Sequence, residues 1–405
     1  MKTTHLLYSS FLLAATPFAA FPQATPTRPN LVFIMADQFR GDALGCMQKE
    51  PVQTPNLDTL AREGILFTQA VSSYPVSSPA RAMLMTGMYP TANGVTGNCN
   101  SQNTPYGVEL SSEAVCWSDI LKQAGYATAY IGKWHLDAPR PPYVDTYNNR
   151  GAVAWNEWCS PERRHGFEQW TAYGTYDNHL KPMYWNTEAS REDFYYVDQW
   201  GPSYEADRAI DFIRTESKQS DHPFALVVSM NPPHTGYELV PDSFKQRYTH
   251  LDVEALAAQK PYIPPKGTPE GDYFRKHVRD YYACITGVDE NIGRIIRTLK
   301  DCGIYHNTLI VFTSDHGVCM GGHNIEGKNT FYEEAMRIPM ICCWPDKLHP
   351  QQSDLPVAFA DLCPTMLSLM GMKDQIPSTV QVHDWSSNLL QQKIQTPEGA
   401  FQPYY

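Results

Sequence analysis

Apolar runs that break abruptly into polar residues, with helical periodicity between them, most restrict how this chain can fold. Leu31 to Ala36 is continuous and apolar before it breaks into Asp37-Gln38, as a buried parallel strand does at its carboxyl edge. Strand-like runs recur at Tyr126 to Ile131, Phe224 to Met230 and Thr308 to Thr313. Between them, Thr54-Pro55 supplies a helix N-cap and a first helical proline, Leu57, Leu60 and Ala61 an apolar stripe, and Gly64 a stop. Val278, Tyr281, Ile285, Val288, Ile292, Ile295 and Leu299 predict a long helix over roughly Phe274 to Lys300. Strands alternating with helices predict an α/β fold with a mostly parallel central sheet flanked by helices. Ligands of such sheets gather beyond the carboxyl ends of the strands. Three of the runs lead there into Asp37-Gln38, Gly132-Lys133-Trp134-His135 and Asp315-His316, and the fourth is followed by Asn231 and His234.

The segment Ser77-Ser78-Pro79-Ala80-Arg81 reads as a helix entry. Ser77 stands near the positive end of the helix dipole, where an anion is favoured, and Arg81 lies one turn on. The formal net charge of −11 argues against nucleic acid, so an anionic substrate has to be held by local groups. From about Asp137 to Gly201 the rhythm breaks into a stretch rich in Trp, Tyr and Asn that reads as a surface insertion lining a substrate site. Its His165, Asn178 and His179 are candidates for reading the substrate, and its tryptophans Trp155, Trp158, Trp170 and Trp185 for stacking on sugar faces. His323 and Asn324 are further candidates. Glu333 and Glu334 are adjacent on a predicted helix and point in different directions, which argues against a paired-carboxylate glycosidase.

Residues 1–24 start basic at Lys2, continue apolar from Leu6 to about Ala20 and end in small residues, the pattern of a cleavable secretory signal. The apolar run is shorter than a membrane span and holds Pro17, so stable membrane insertion is not expected. No cysteine precedes Cys46, which argues against a lipid anchor just after the signal. The ten cysteines show no small-domain disulfide framework, and Cys342, Cys343 and Cys363 read as buried free thiols. Neither CxxC nor HExxH spacing occurs, so neither a structural zinc site nor a zincin is supported.

Ser77-x-Pro79-x-Arg81 with the downstream Thr86-Gly87 resembles the signature of the formylglycine-dependent type I sulfatases of the alkaline phosphatase superfamily. The resemblance runs from Pro29 to about Leu390 and implies a serine-type sulfatase. In that family Ser77 would be oxidised to formylglycine, whose hydrate offers one hydroxyl to attack sulfur and a second to expel sulfate. It implies metal ligands at Asp37, Gln38, Asp315 and His316, holding calcium, with magnesium the alternative. Gln38 stands where the family more often has aspartate, and His316 would suit softer metals better. It further implies that Arg81, Lys133 and Lys328 neutralise sulfate oxygens while His135 and His234 share the proton transfers.

The expectation is therefore an exported, secreted or periplasmic hydrolase of a sulfated carbohydrate, with a serine-type maturase as a partner. A signal peptide at 1–24 precedes a catalytic domain at 28–392. Residues 393–405, where Gly399 to Gln402 resembles an opening strand, would begin a small C-terminal subdomain that is largely missing. Two other readings stand beside this one: a phosphohydrolase or phosphotransferase using unmodified Ser77, and a non-catalytic binder of sulfated glycans.

Overall fold

A computed structural model describes residues 28–219 and 222–397. The signal segment and Gly399 to Gln402 lie outside the described residues. Among the described residues, ten strands form one sheet: β1 (Asn30–Ala36), β2 (Ile65–Phe67), β3 (Ala127–Lys133), β4 (Gln169–Tyr173), β5 (Met183–Asn186), β6 (Tyr195–Tyr196), β7 (Phe224–Met230), β8 (Thr308–Thr313), β9 (Met340–Cys343) and β10 (Gln351–Ser353). Their order is β10-β2-β9-β8-β1-β7-β3-β4-β5-β6. The central block β8-β1-β7-β3-β4 is parallel throughout, and β9, β5 and β6 pair antiparallel on its flanks. The expected α/β sheet is thus present, and its four sequence-legible strands lie side by side at the centre.

Helices cover both faces because β1 is apolar on both. Val32 and Ile34 pack into one core with Tyr281, Ile285, Val288 and Ile292 of the Pro269–Asp301 helix and with Ala206 and Ile213 of the Gly201–Glu216 helix. Leu31, Phe33 and Met35 face the other way, into a core with Leu84, Trp117, Leu121 and Met366. The helix Pro55–Glu63 has the predicted bounds. The long helix starts five residues earlier than Phe274: Thr268 caps it by accepting from Gly271 N–H, with Pro269 in the first position. Its first turn carries no apolar stripe to mark it. Cys342, Cys343 and Cys363 are buried free thiols.

The insertion is more than a surface elaboration. It supplies β4, which pairs parallel with β3 (Tyr130 opposite Trp170), then β5 and β6, and it builds a third core from Tyr173, Tyr176, Met183, Tyr184 and Trp185. Trp170 stacks on Tyr130 with centroids 5.2 Å apart, and Trp185 is buried with its indole N–H donated to Arg191 O. These two tryptophans are packing residues with no face left for a sugar. Trp158 is half-buried against the third core, and half-buried Trp155 lies beside the His135 ring, 6.3 Å between centroids.

Candidate active site

Most candidate side chains stand at or just beyond the carboxyl end of a central strand or in the first turn of the helix packed over it, and Lys328 comes from the loop between β8 and β9. Asp37 and Gln38 follow β1, Lys133 ends β3, Asn231 and His234 follow β7, and Asp315 and His316 follow β8. Ser77 is the first residue of the Ser77–Thr86 helix, with Val76 as its cap, so the helix begins at Ser77 itself and not after it. Gly132 allows the close approach of β3 to β7: its φ is 101°, and a Cβ there would stand 2.1 Å from Ser229 O.

Ser77 Oγ lies 3.0 Å from His316 Nε2 and 3.4 Å from Asp37 Oδ2, with all three residues buried. His316 Nδ1 lies 2.9 Å from Gly317 O, which can only accept. The ring therefore carries its hydrogen on Nδ1 and presents the Nε2 lone pair to the site. Burial, followed by Lys328, pushes His316 down to about 3. Asp37 Oδ2 takes Lys133 Nζ at 2.7 Å and Arg81 Nη2 at 2.9 Å, and Arg81 Nε reaches Asp315 Oδ2 at 3.0 Å. Burial alone would raise Asp37, but Lys133, His234, Arg81 and His316 together hold it well below the usual carboxylate range. Asp315 moves the other way, raised by burial and by the charge of Asp37.

Asp37, Asp315 and His316 offer ligand atoms that all lie within 4.8 Å of one another. Asp37 Oδ1 is buried without a hydrogen-bond partner among the described residues, 3.7 Å from His316 Nε2. An unsatisfied carboxylate oxygen, a second carboxylate raised by its neighbour and an imidazole lone pair turned toward the Ser77 hydroxyl are features a divalent cation would stabilise, so the residues fit one. Gln38, with φ of 66°, accepts at Oε1 from Lys328 Nζ at 2.6 Å and donates from Nε2 to Tyr237 Oη at 2.9 Å.

His135 donates from Nε2 to Cys99 O at 3.2 Å, and its buried Nδ1 has no partner among the described residues. Burial, then Lys133 and Arg81, hold its pKa well below the ordinary value, which leaves a neutral ring with an available lone pair. Lys133 Nζ also donates to Asn231 Oδ1 at 3.1 Å. Lys328 Nζ lies 3.0 Å from His234 Nε2, and burial lowers Lys328 to about 8. A cleft of about 410 Å³ opens here, lined in part by Gln38, Asn98, Tyr273, Glu326, Lys328 and Asn329.

Ser77, Arg81, Lys133, His234, Lys328, Asp37, Gln38, Asp315 and His316 are thus linked by direct contacts, and His135 follows Lys133 by two residues. The three histidines among the candidate substrate readers are engaged in other contacts. The buried His165 has Nδ1 3.6 Å from Asp119 and stacks on Trp134. His179 Nε2 holds the backbone oxygens of Thr235 and His234 at 3.0 and 3.3 Å, which anchors the loop bearing His234. His323 pairs with Glu334 at 3.0 Å and stacks on Tyr332. Asn324 is exposed with φ of 59°. Asp177, which was not singled out in the sequence, contacts His234 Nδ1 at 3.0 Å. Its only sequence signal is its place two residues before His179.

A parallel sheet whose carboxyl edge gathers a serine, an arginine, two lysines and two carboxylates is suited to holding the anion of an oxyanion ester. The sequence profile of the sulfatase family matches residues 29–372, and the chain belongs to that family, as a sulfatase. It is 37% identical over 398 residues to an endo-4-O-sulfatase from Bacteroides thetaiotaomicron, covering 92% of this chain and 75% of that protein. It is 34% identical to an ulvan-active sulfatase from Formosa agariphila, covering 90% of this chain and 65% of the relative. The crystal structure of yidJ from Bacteroides fragilis superposes with a TM-score of 0.90 at 66% identity, over 93% of this chain and 81% of the other.

Proposed function

We propose that this sulfatase releases inorganic sulfate from a sulfated carbohydrate, with Ser77 converted to formylglycine and calcium, or alternatively magnesium, held by Asp37, Asp315 and His316 with Gln38 beside them. Support comes from the two glycan-directed names among its relatives and from one observation above all. Ser77 starts its helix 3.0 Å from His316 Nε2, in a pocket already built for negative charge. When bound, the cation would supply Lewis-acid polarisation of a sulfate oxygen, and the hydrated aldehyde an attacking hydroxyl and a route to sulfate release.

The remaining chemistry falls to the chain's own residues. Arg81 and Lys133 neutralise charge beside Ser77, and Lys328 does so from the opposite side, an arrangement that favours a compact tetrahedral anion. The free Nδ1 of His135 can accept a proton near the nucleophile, and Lys328 with His234 can return one to the departing alcohol. The leader-like start of the sequence supports export to a bacterial periplasm, after a serine-type maturase has acted on the chain.

The deciding experiment is the mass of the peptide containing Ser77 from protein co-expressed with such a maturase, alongside sulfate release. A peptide lighter by two hydrogens in the active protein is expected. Activity confined to the unmodified peptide would move the assignment to an enzyme using plain serine.

A further inference from the structure

The insertion delivers one carboxylate into this site that none of the sequence motifs accounts for. Asp177 Oδ1 stands 3.0 Å from His234 Nδ1 and accepts from Asn231 Nδ2 at 3.0 Å. Its Oδ2 accepts from Asn148 Nδ2 at 2.8 Å, and its backbone N–H donates to Asn148 Oδ1 at 2.9 Å. Amides from two separate segments therefore fix the plane of the carboxylate. Across the imidazole, His234 Nε2 lies 3.0 Å from Lys328 Nζ, which also donates to Gln38 Oε1 at 2.6 Å.

An ionised carboxylate only accepts hydrogen bonds, so the ring nitrogen facing it has to carry hydrogen. Nε2 is then a lone pair that receives one N–H of the lysine. The opposite neutral tautomer would set N–H against N–H at Lys328 and leave a lone pair facing Asp177. An imidazolium would set two cations head to head. Burial, then Lys328 and Lys133, push His234 down to about 4, in keeping with a neutral ring.

We infer that Asp177 is a positioning residue for proton delivery to the leaving alcohol: it fixes His234 as the Nδ1–H tautomer, which makes Nε2 the acceptor that aims the Lys328 ammonium. Of the three N–H groups of that ammonium, one goes to His234 and one to Gln38, and the third stays free for the leaving oxygen. This inference rests on the sulfatase reading. As the hydroxyl at position 77 forms its bond to sulfur and gives its proton to His135, the S–O bond to the alcohol breaks, its electron pair stays on the alcohol oxygen, and a proton passes to that oxygen from Nζ. Lys328 is left as a neutral amine that regains its proton from water.

The test uses the full-length, matured, metal-loaded protein and the Asp177→Asn variant, which keeps the size of the side chain but no longer requires Nδ1–H. Nitrogen NMR of histidine-labelled protein, with His234 assigned by comparison with His234→Gln, should show hydrogen on Nδ1 in the wild type and a mixed or reversed tautomer in Asp177→Asn. Turnover of aryl sulfates of graded leaving-group basicity supplies the second measurement. Asp177→Asn should lower kcat about tenfold to a hundredfold on phenyl sulfate but only marginally on nitrophenyl sulfate at unchanged KM, because a weakly basic leaving oxygen needs no proton. Hydrogen on Nε2 in the wild type, an equal loss on both esters, or a loss confined to KM would overturn the assignment. The tautomer measurement needs no turnover, so failure to release sulfate would count against the sulfatase reading without deciding the role of Asp177.

Discussion

Ser77 Oγ and His316 Nε2 stand 3.0 Å apart, 239 residues apart in sequence, where a helix start meets a strand end. The Nδ1 hydrogen of His316 goes to Gly317 O, so the ring can only accept from the serine hydroxyl or give its lone pair to a cation. Both uses centre the chemistry on the side chain at position 77. Ser77→Ala is expected to abolish sulfate release in any host, since no aldehyde can form. Ser77→Cys should be active only where a cysteine-competent maturase is present. Assay of sulfate release, with peptide mass alongside, checks both, and substantial turnover by the alanine variant would remove Ser77 from the mechanism.

The cation site is open to a separate prediction. Asp37→Ala and Asp315→Ala each delete an anionic oxygen and leave Arg81 short of one partner. Each should lower metal occupancy and reduce turnover by about a thousandfold or more. Elemental analysis of folded, purified variants reads the first effect. Full occupancy with normal rates in either variant would show that the cation binds elsewhere.

The central strands are legible in sequence because a parallel strand buried on both faces is a continuous apolar run, and each of the four such runs stops at a group the site uses. The flanking strands are not. The five residues of β4 mix Gln169 and Thr171 with aromatics, and the strand is defined by pairing to β3, which local sequence does not encode. The same holds within the site. Asp37, Asp315 and Ser77 can be read from motifs at strand and helix ends. Asp177 reaches His234 across 57 residues only because the insertion folds back over the end of β7. The insertion's tryptophans suggest sugar stacking, yet the structure spends Trp170 and Trp185 on packing, since aromatic residues serve both purposes.

Glu205 gives a prediction about stability. It is fully buried; Tyr184 and Tyr173 donate to Oε1 at 3.1 and 3.3 Å, and Oε2 has no partner among the described residues. Burial, only partly offset by the two tyrosines, pushes its pKa up to about 8. The unfolded chain would release this proton near the ordinary glutamate value, so between about pH 4.5 and 8 the folded state binds more protons. This residue's contribution to stability therefore falls as pH rises, by up to about 1.4 kcal/mol per unit, and levels off above its folded pKa. Glu205→Gln should remove that slope, matching the wild type near about pH 5 and exceeding it near about pH 8. Urea unfolding across this range checks it, and parallel profiles for the two proteins would show that Glu205 is ionised throughout.

The last prediction concerns the substrate: a sulfated sugar should be turned over faster than a simple aryl sulfate. The cleft at Lys328 is about 410 Å³; Val76 and Val318 give it an apolar part, and Asn98, Thr235, Tyr273, Glu326 and Asn329 add hydroxyl, amide and carboxylate groups. Such a lining matches a ring bearing several hydroxyls better than a flat apolar one. Half-buried Trp155, beside His135, remains as an aromatic neighbour of the site. Binding energy from the non-reacting part of a sugar can be spent on orienting the ester, so a fitting glycan should gain in kcat as well as in KM. Desulfation of sulfated galactose, N-acetylglucosamine and uronic-acid-containing oligosaccharides, measured beside an aryl sulfate, decides the matter. If the aryl sulfate outran every glycan, the polar cleft would have no part in substrate choice. Where a glycan wins, Glu326→Gln should raise its KM severalfold and leave the aryl sulfate unchanged, because this exposed carboxylate on the cleft wall would meet only the part of the substrate that the aryl ester lacks.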